Sequence, residues 1–315
     1  MKKNILITAG GTATAWHISK TIRDKLSQYF KVFICDINEK EYVASSINAD
    51  FFLQVPKIGS ENYYEYMLNI IKLYKIDIII PLIDSDLHYF SSDNIDLKKL
   101  RVISTAPSKH LLNTFYNKRS ISAFCSEIGV DVPKEISYKN INPNDEYFIK
   151  PLNGFGSRGA KKIFGKEILE NKNFYKNFII QELCEKPEVT IEIFYKSKQK
   201  YSYIIRERIE TKTGVSTKAK FIQDSEIDSI LKVIFEKVNL PRTSGIQFMK
   251  KNNKWVLTDF NLRLCAGTAL SSAIGWDLVY AFLIDLIGID DPFLYLNKPN
   301  TIKKVVRVYQ EIVME

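Results

Sequence analysis

Three apolar runs, "NILITA", "KVFICDIN" and "DIIIPLID", constrain the first hundred residues more than any other feature. A run without polar alternation marks a strand buried on both faces, and such strands belong to parallel sheets covered by helices. Between them lie "GGTATAWHISKTIRDKL" and "ENYYEYMLNIIKLYKI", whose apolar residues recur at helical spacing, and "LRVIST" supplies a fourth strand. This alternation predicts a doubly wound α/β unit over 1–106. Its first turn, Gly10-Gly11, could hold an anion at a helix N-terminus, though tight strand-to-helix packing accounts for two glycines equally well. "PLIDSDLHYF" places Asp84 and Asp86 at the carboxyl edge, where such sheets bind ligands. Asp84 there would bind a substrate amine or cap the following helix.

After about residue 105 the pattern changes. "SKHLLNTFYNKRSISAFCSEIGVDVPKE" reads as two helical stretches closed by Gly129 and Pro133. Strand patterns follow in "EYFIKP", "AKKIF", "FIIQEL", "EVTIEIFY" and "KYSYIIRERIE". A helix is expected at "SEIDSILKVIFEKVN", then a hairpin over "SGIQFMKKNNKWVLTDFNLR" turning at Asn252-Asn253, and a last helix from roughly Ser271 to Ile287. We divide this part at 107–182 and 183–315.

"GFGSRG" contains Gly154, Gly156 and Gly159 in a G-x-G-x-x-G arrangement. A dinucleotide fingerprint needs a strand before it and a helix after it. Here "AKKIFGKE" follows, too short and too strand-like for that helix. The motif therefore reads as the tip of a β-hairpin, where glycines bring backbone N–H groups close to phosphate oxygens and Lys150 adds a charge. A flexible surface hairpin is the competing reading.

Downstream carboxylates and amides extend the pattern. Gln181-Glu182 ends one strand and Glu188 begins the next. One carboxylate can accept from an adenine amino group and the other from ribose hydroxyls. Gln247, Asp259 and Asn261 fall on two adjacent strands, with Asp259 and Asn261 on one face. All three offer hard oxygen donors suited to Mg²⁺ shared with phosphates, and Arg263 continues that face toward a phosphoryl group. Taken singly, each pair reads as a polar, solvent-facing strand. In "RERIETKTGVSTKAK", Arg206, Arg208 and Lys218 flank a Thr/Gly-rich loop, either as an anion clamp or as a solvated basic hairpin.

Composition narrows the class. The net charge of +9 comes from scattered lysines, so the excess implies neither nucleic acid nor membrane. Cys35, Cys125, Cys184 and Cys265 are far apart and form no C-x-x-C, which favours a reducing, cytoplasmic setting. The run "LVYAFLIDLIGI" is too short for a membrane span. No Ser-His-Asp or Cys-His arrangement is evident.

The order Asn117-Lys118, KPLNGFGSRG, QEL…PEVT, GIQF and DFNLRLCAG resembles the ATP-grasp superfamily over nearly the whole chain. It is most similar to enzymes with a carbamoyl-phosphate-synthase-large-subunit-like module. The family's D-K appears as Asn117-Lys118, and its E-x-N-x-R as Asp259, Asn261 and Arg263, with Asp one methylene shorter than Glu. The resemblance implies a two-lobed ATP-grasp fold after the parallel-sheet domain. It implies that Lys118 and Lys150 contact ATP phosphates and that the loop from Gly154 to Gly159, Ser157 included, closes over them. Glu182 and the Leu183 backbone would read adenine, with Gln181 beside them, and Glu188 the ribose. Gln247, Asp259 and Asn261 would hold Mg²⁺, with Mn²⁺ as a substitute, while Arg263, Arg206 and Arg208 handle the transferred group. The expected reaction is ADP-forming ligation of a small carboxylate to an amine. A kinase and a nucleotide-binding protein without turnover are the alternatives, beside a nicotinamide-dependent oxidoreductase resting on the glycine motif alone. A homodimer is left open.

Overall fold

The computed structural model describes residues 1–152 and 159–314. Five parallel strands form the first sheet: β1 Lys3–Ile7, β2 Phe30–Asp36, β3 Phe51–Gln54, β4 Ile78–Ile80 and β5 Ile103–Ser104, in the order β3-β2-β1-β4-β5. Helices α1 Ala13–Thr21, α2 Tyr63–Leu73, α3 Asp84–Tyr89 and α4 Ile95–Lys99 connect or flank these strands. Both faces are buried, as the unbroken apolar runs require. Ile5 and Ile7 face one core, while Leu6 joins Met67, Ile70 and Ile71 of α2 in another. β3 escaped the sequence reading because its side chains are partly or fully exposed, which removes the buried-strand signature.

Helices α5 Lys109–Tyr116 and α6 Lys118–Glu127 follow, and Gly129 closes the second. A three-stranded antiparallel sheet comes next, β7-β6-β8, from β6 Glu146–Pro151, β7 Lys161–Phe164 and β8 Phe178–Gln181. Short helices α7 Gly165–Glu170 and α8 Lys172–Tyr175 cover it around Ile149, Ile163, Ile168 and Ile180. Because β6 and β7 are antiparallel partners and α7 begins only after β7, the helix that a dinucleotide fingerprint demands is missing from this place. Gly154, Gly156 and Ser157 lie outside the described residues.

The third sheet is antiparallel throughout and built from β9 Glu185–Ser197, β10 Lys200–Lys212, β11 Val215–Ile222, β12 Thr243–Lys251, β13 Lys254–Asn261 and β14 Lys303–Val306. Helix α9 Ser225–Lys237 packs Ile227, Leu231 and Ile234 on the face carrying Val189, Ile191 and Ile246. The other face shares a core with the parallel sheet through Phe194, Ile204, Phe221 and Phe282. Asn252 and Asn253 both take positive φ, 49° and 64°, the conformation a two-residue hairpin turn needs.

The last helix differs from its expected single span. It is two helices, α10 Thr268–Ser272 and α11 Leu278–Ile287, separated by Gly275 at φ 91°, where a side chain would be strained. β11 and β14 are also additions. The basic stretch after β10 turns at Thr213-Gly214 and returns as β11, so it is a hairpin between strands instead of a loop before a helix. Among the described residues no helix is long and apolar enough to cross a membrane.

Candidate nucleotide site

A cleft of about 410 Å³ lies between the three-stranded sheet and the six-stranded sheet. Phe148, Lys150 and Lys162 line it from the first, and Glu188, Arg208, Gln247, Met249, Asp259 and Asn261 from the second. Lys118, the first residue of α6, and Asp84, the first of α3, reach it from the flanking helices.

A β-bulge shapes the floor. Asp259 pairs with Gln247 and Leu257 with Phe248, so Thr258 is the extra residue of β13. The Lys150 ammonium donates to the Thr258 carbonyl at 3.1 Å. Asn117 caps α6 by accepting from Arg119 N–H, which sets Lys118 at the helix start, and its ammonium donates to the Asp259 carboxylate. Burial pulls the Lys150 ammonium down to about 8, helped by Lys118 and opposed by Asp259. Burial raises the Asp259 carboxyl, but Lys118 and Lys150 outweigh it and hold the group below the usual carboxylate range. Two ammonium groups thus share one carboxylate, and the cluster carries a surplus positive charge.

Gln247, Asp259 and Asn261 come together as their strand register requires, Gln247 directly opposite Asp259. Among the described residues no group of three or more His, Cys, Asp or Glu could hold a metal ion. The trio has a single carboxylate, which fits a hard cation whose remaining ligands are phosphate oxygens and water.

Several candidates sit otherwise than expected. Arg206 is not in the cleft. It is 3% exposed and ion-paired with Glu192 at 2.9 Å, with Ser216 on its other nitrogen at 2.6 Å. It shares a face of β10 with Arg208 but lies farther along the strand, where Glu192 and Ser216 enclose it. Lys218 is exposed and pairs with Glu210 at 2.8 Å. Arg208 does line the cleft, ion-paired with Glu188 and donating to the Gly214 carbonyl at 2.7 Å. The Gly10-Gly11 turn lies apart from the cleft. Gly11 N–H is taken by Asp36 at 2.7 Å, and a Cβ on Gly10 would stand 2.5 Å from Ile34 Cγ2, so close packing explains both. Asp84 neither caps α3, whose N-cap is Ile83, nor stands free. It receives Arg263 at 2.8 and 3.4 Å, tying the parallel-sheet unit to the end of β13. Arg263 borders the cleft through that pair. Gly159, at φ 76°, sits against Pro151 at the end of β6.

Gln181 is buried, and its side-chain amide donates to the Pro133 carbonyl at 3.2 Å. Glu182 accepts from Lys134 N–H at 3.0 Å, so its carboxylate is engaged in the scaffold. Lys251 donates to the Leu183 carbonyl at 3.1 Å. Among the described residues the Glu182 carbonyl and Leu183 N–H have no hydrogen-bond partner in the chain. The apolar walls, Phe148, Met249, Phe260 and Leu262, were missed by the sequence reading, because a strand's apolar residues look the same whether they face a core or a ligand.

Residues 174–310 match the family described as "ATP-grasp in the biosynthetic pathway with Ter operon". That stretch belongs to an ATP-grasp family. Residues 5–104 match the family "PylC-like, N-terminal domain". Solved structures share the fold. L-amino acid ligase from Bacillus licheniformis superposes with a TM-score of 0.74 at 13% identity, over 96% of this chain and 79% of the ligase. The biotin carboxylase domain of Hydrogenobacter thermophilus 2-oxoglutarate carboxylase, solved with MgADP, ADP and bicarbonate, gives 0.73 at 13% identity over 92% and 70%. Pyruvate carboxylase from Rhizobium etli gives 0.71 at 13% identity and 92% of this chain, which spans only 29% of that enzyme. No curated protein matches the sequence itself.

Proposed function

We propose that the chain is an ATP-dependent, ADP-forming ligase that activates a carboxylate as an acyl phosphate and joins it to an amine. The observation that carries this reading is the convergence of Lys118, Lys150 and Asp259 on one cleft, with a surplus cation for phosphates and a carboxylate for their metal. The purine would lie between Phe148 and Met249. The backbone of the Glu182-Leu183 segment would read its edge, the Glu182 carbonyl accepting from its amino group. Glu188 would accept from the ribose, and Arg208 would part from it toward the triphosphate.

Mg²⁺ held by Gln247, Asp259 and Asn261 would supply charge neutralisation at the terminal phosphates, and Mn²⁺ would substitute for it. Lys118 would leave Asp259 for phosphate oxygens. The chain's own work is then positioning and charge compensation, which phosphoryl transfer chiefly needs. A substrate carboxylate oxygen attacks the γ-phosphorus as its bond to ADP breaks. The amine nitrogen then attacks the acyl carbon, and phosphate leaves with the electron pair of the C–O bond. Arg263, oriented by Asp84, would sit against the transferred group. The domain division 1–106, 107–182 and 183–315 is part of the same proposal, with the middle segment as the lid.

The fold relatives, a ligase and two carboxylases, support this class of chemistry. An ADP-release screen over pools of carboxylates and amines with Mg²⁺, read by mass spectrometry, tests the reading. An amide formed with ADP is the expected result. A stable phosphorylated compound would make the protein a kinase, and no ADP from any pool would leave a binding protein.

A further inference from the structure

Among the described residues four carboxylates line the cleft, those of Asp84, Glu182, Glu188 and Asp259. Three are committed elsewhere. Glu182 accepts from Lys134 N–H at 3.0 Å, Glu188 is ion-paired with Arg208, and Asp259 with Lys118. Asp84 stands on the parallel-sheet side, at the start of α3 and past the carboxyl end of β4, where such sheets present groups to ligands. Its carboxylate is held unequally. Oδ1 accepts from Arg263 Nε at 2.8 Å, whereas Oδ2 has Nη2 only at 3.4 Å. Oδ2 therefore keeps acceptor capacity, on a side chain that is still 21% exposed.

We propose that Asp84 is a catalytic residue that holds the ammonium of the amine substrate through Oδ2 and takes its proton. An alkylammonium has no free electron pair near neutral pH, so it must lose a proton before its nitrogen can attack. Among the described residues lining the cleft there is no histidine to do this, and Lys118 and Lys150 are needed at the phosphates. Because Asp84 also fixes Arg263, the nucleophile is placed beside the group that Arg263 handles. In the step, one ammonium proton passes to Oδ2 as the C–N bond forms. The C–O bond to phosphate breaks, phosphate leaves with the electron pair, and the nitrogen's second proton goes to that phosphate. Asp84 gives its own proton to water when the product departs. The substrate class is then a primary amine basic enough to arrive as an ammonium ion, and not an amide nitrogen or a weakly basic aromatic amine.

The proposal rests on the ligase reading above, and the test separates the two. The full chain is incubated with ATP, Mg²⁺ and a pool of carboxylates, with either a pool of alkylamines or hydroxylamine as nucleophile. Amide and hydroxamate are quantified by mass spectrometry in wild type and Asp84→Asn. Hydroxylamine is neutral in mildly alkaline buffer and needs no base to free its electron pair, so it reads the acyl phosphate alone. Asn keeps the shape of Asp and an oxygen for Arg263 Nε. Asp84→Asn should lower amide formation by ~10²-fold or more, the usual share of a general base, with hydroxamate within a few-fold of wild type. Asp84→Ser, which also removes the base, should give the same split and guards against a folding defect peculiar to one variant. An equal fall of both products in both variants would reduce Asp84 to a support for Arg263 and overturn the proposal, as would amide formation at the wild-type rate. If wild type yields neither amide nor hydroxamate, the ligase reading itself fails.

Discussion

Glu192 with Arg206, and Asp259 with Lys118 of α6 and Lys150 of β6, are two charge clusters built on carboxylates of the same six-stranded sheet. The first is closed. Glu192 is 0% and Arg206 3% exposed, one carboxylate oxygen is taken by the guanidinium and the other by Ser271 at 2.7 Å. Gly267 leaves no room beside it, since a Cβ there would stand 2.0 Å from an Arg206 nitrogen. The second is open. It has two ammonium groups for one carboxylate, and a cleft of about 410 Å³ in front of them. Residue type does not separate a structural ion pair from a ligand site. Charge balance and access do.

The largest effect should come from breaking the closed cluster. Glu192→Ala leaves Arg206 buried without a counter-charge, which costs about 3–5 kcal/mol of stability. Urea unfolding reads this directly, and a loss under about 1 kcal/mol would show that the pair is not structural. Replacing both residues by apolar ones of similar size should recover most of the loss.

The open cluster should respond in the opposite way. Lys150→Met removes a desolvated cation, so the melting temperature should hold or rise. Nucleotide affinity should fall by ~10- to 100-fold, the effect of a charge-assisted contact of roughly 1.5–3 kcal/mol. Calorimetry with ADP and a thermal melt on the same sample give both numbers. A lowered melting temperature with unchanged affinity would place Lys150 with the structural residues.

A smaller change is expected at Glu188. Glu188→Ala frees Arg208 and removes a ribose acceptor, and ADP affinity should drop by ~3- to 10-fold with the fold intact. Unchanged affinity would confine Glu188 to its ion pair.

The surroundings of the closed cluster give a pH signature. His17 lies against Thr268 at 3.2 Å, next to Gly267, and burial brings its imidazole down to about 4 despite the attraction of Asp277. A histidine depressed in the folded state takes its proton first in the unfolded chain. Stability should therefore be intact above about 6.5 and fall as the pH drops from 6.5 toward 4. His17→Gln should flatten that part of the pH–stability curve. An unaltered slope would show that this region is wet.

The parallel sheet was legible because apolar runs such as Ile78–Ile80 are buried on both faces, and β12 and β13 because Asn252-Asn253 announces their turn. The meeting of Gln247, Asp259 and Asn261 was legible because strand period and hairpin register dictate which side chains come together, Gln247 with Asp259. Arg206 was misplaced for a related reason. Period two puts it on the same face of β10 as Arg208, but nothing local tells where along that face the cleft ends, since that depends on Ser271, which bonds Glu192 from a helix 65 residues away in the chain. The Asp84–Arg263 pair spans 179 residues and carries no local pattern at all. Lys251 was invisible too, because its partner is a backbone carbonyl.

The central claim is that the open cluster receives Mg²⁺ together with a nucleotide. Calorimetric titration of ADP into wild type and Asp259→Asn, each with and without Mg²⁺, tests it most directly. In wild type Mg²⁺ should tighten ADP binding by about tenfold or more, equivalent to about 1.4 kcal/mol. In Asp259→Asn that tightening should vanish while metal-free ADP still binds, with some loss of stability because Lys118 and Lys150 then lack their shared carboxylate. Equal tightening by Mg²⁺ in both proteins, or no ADP binding by wild type at all, would contradict the account.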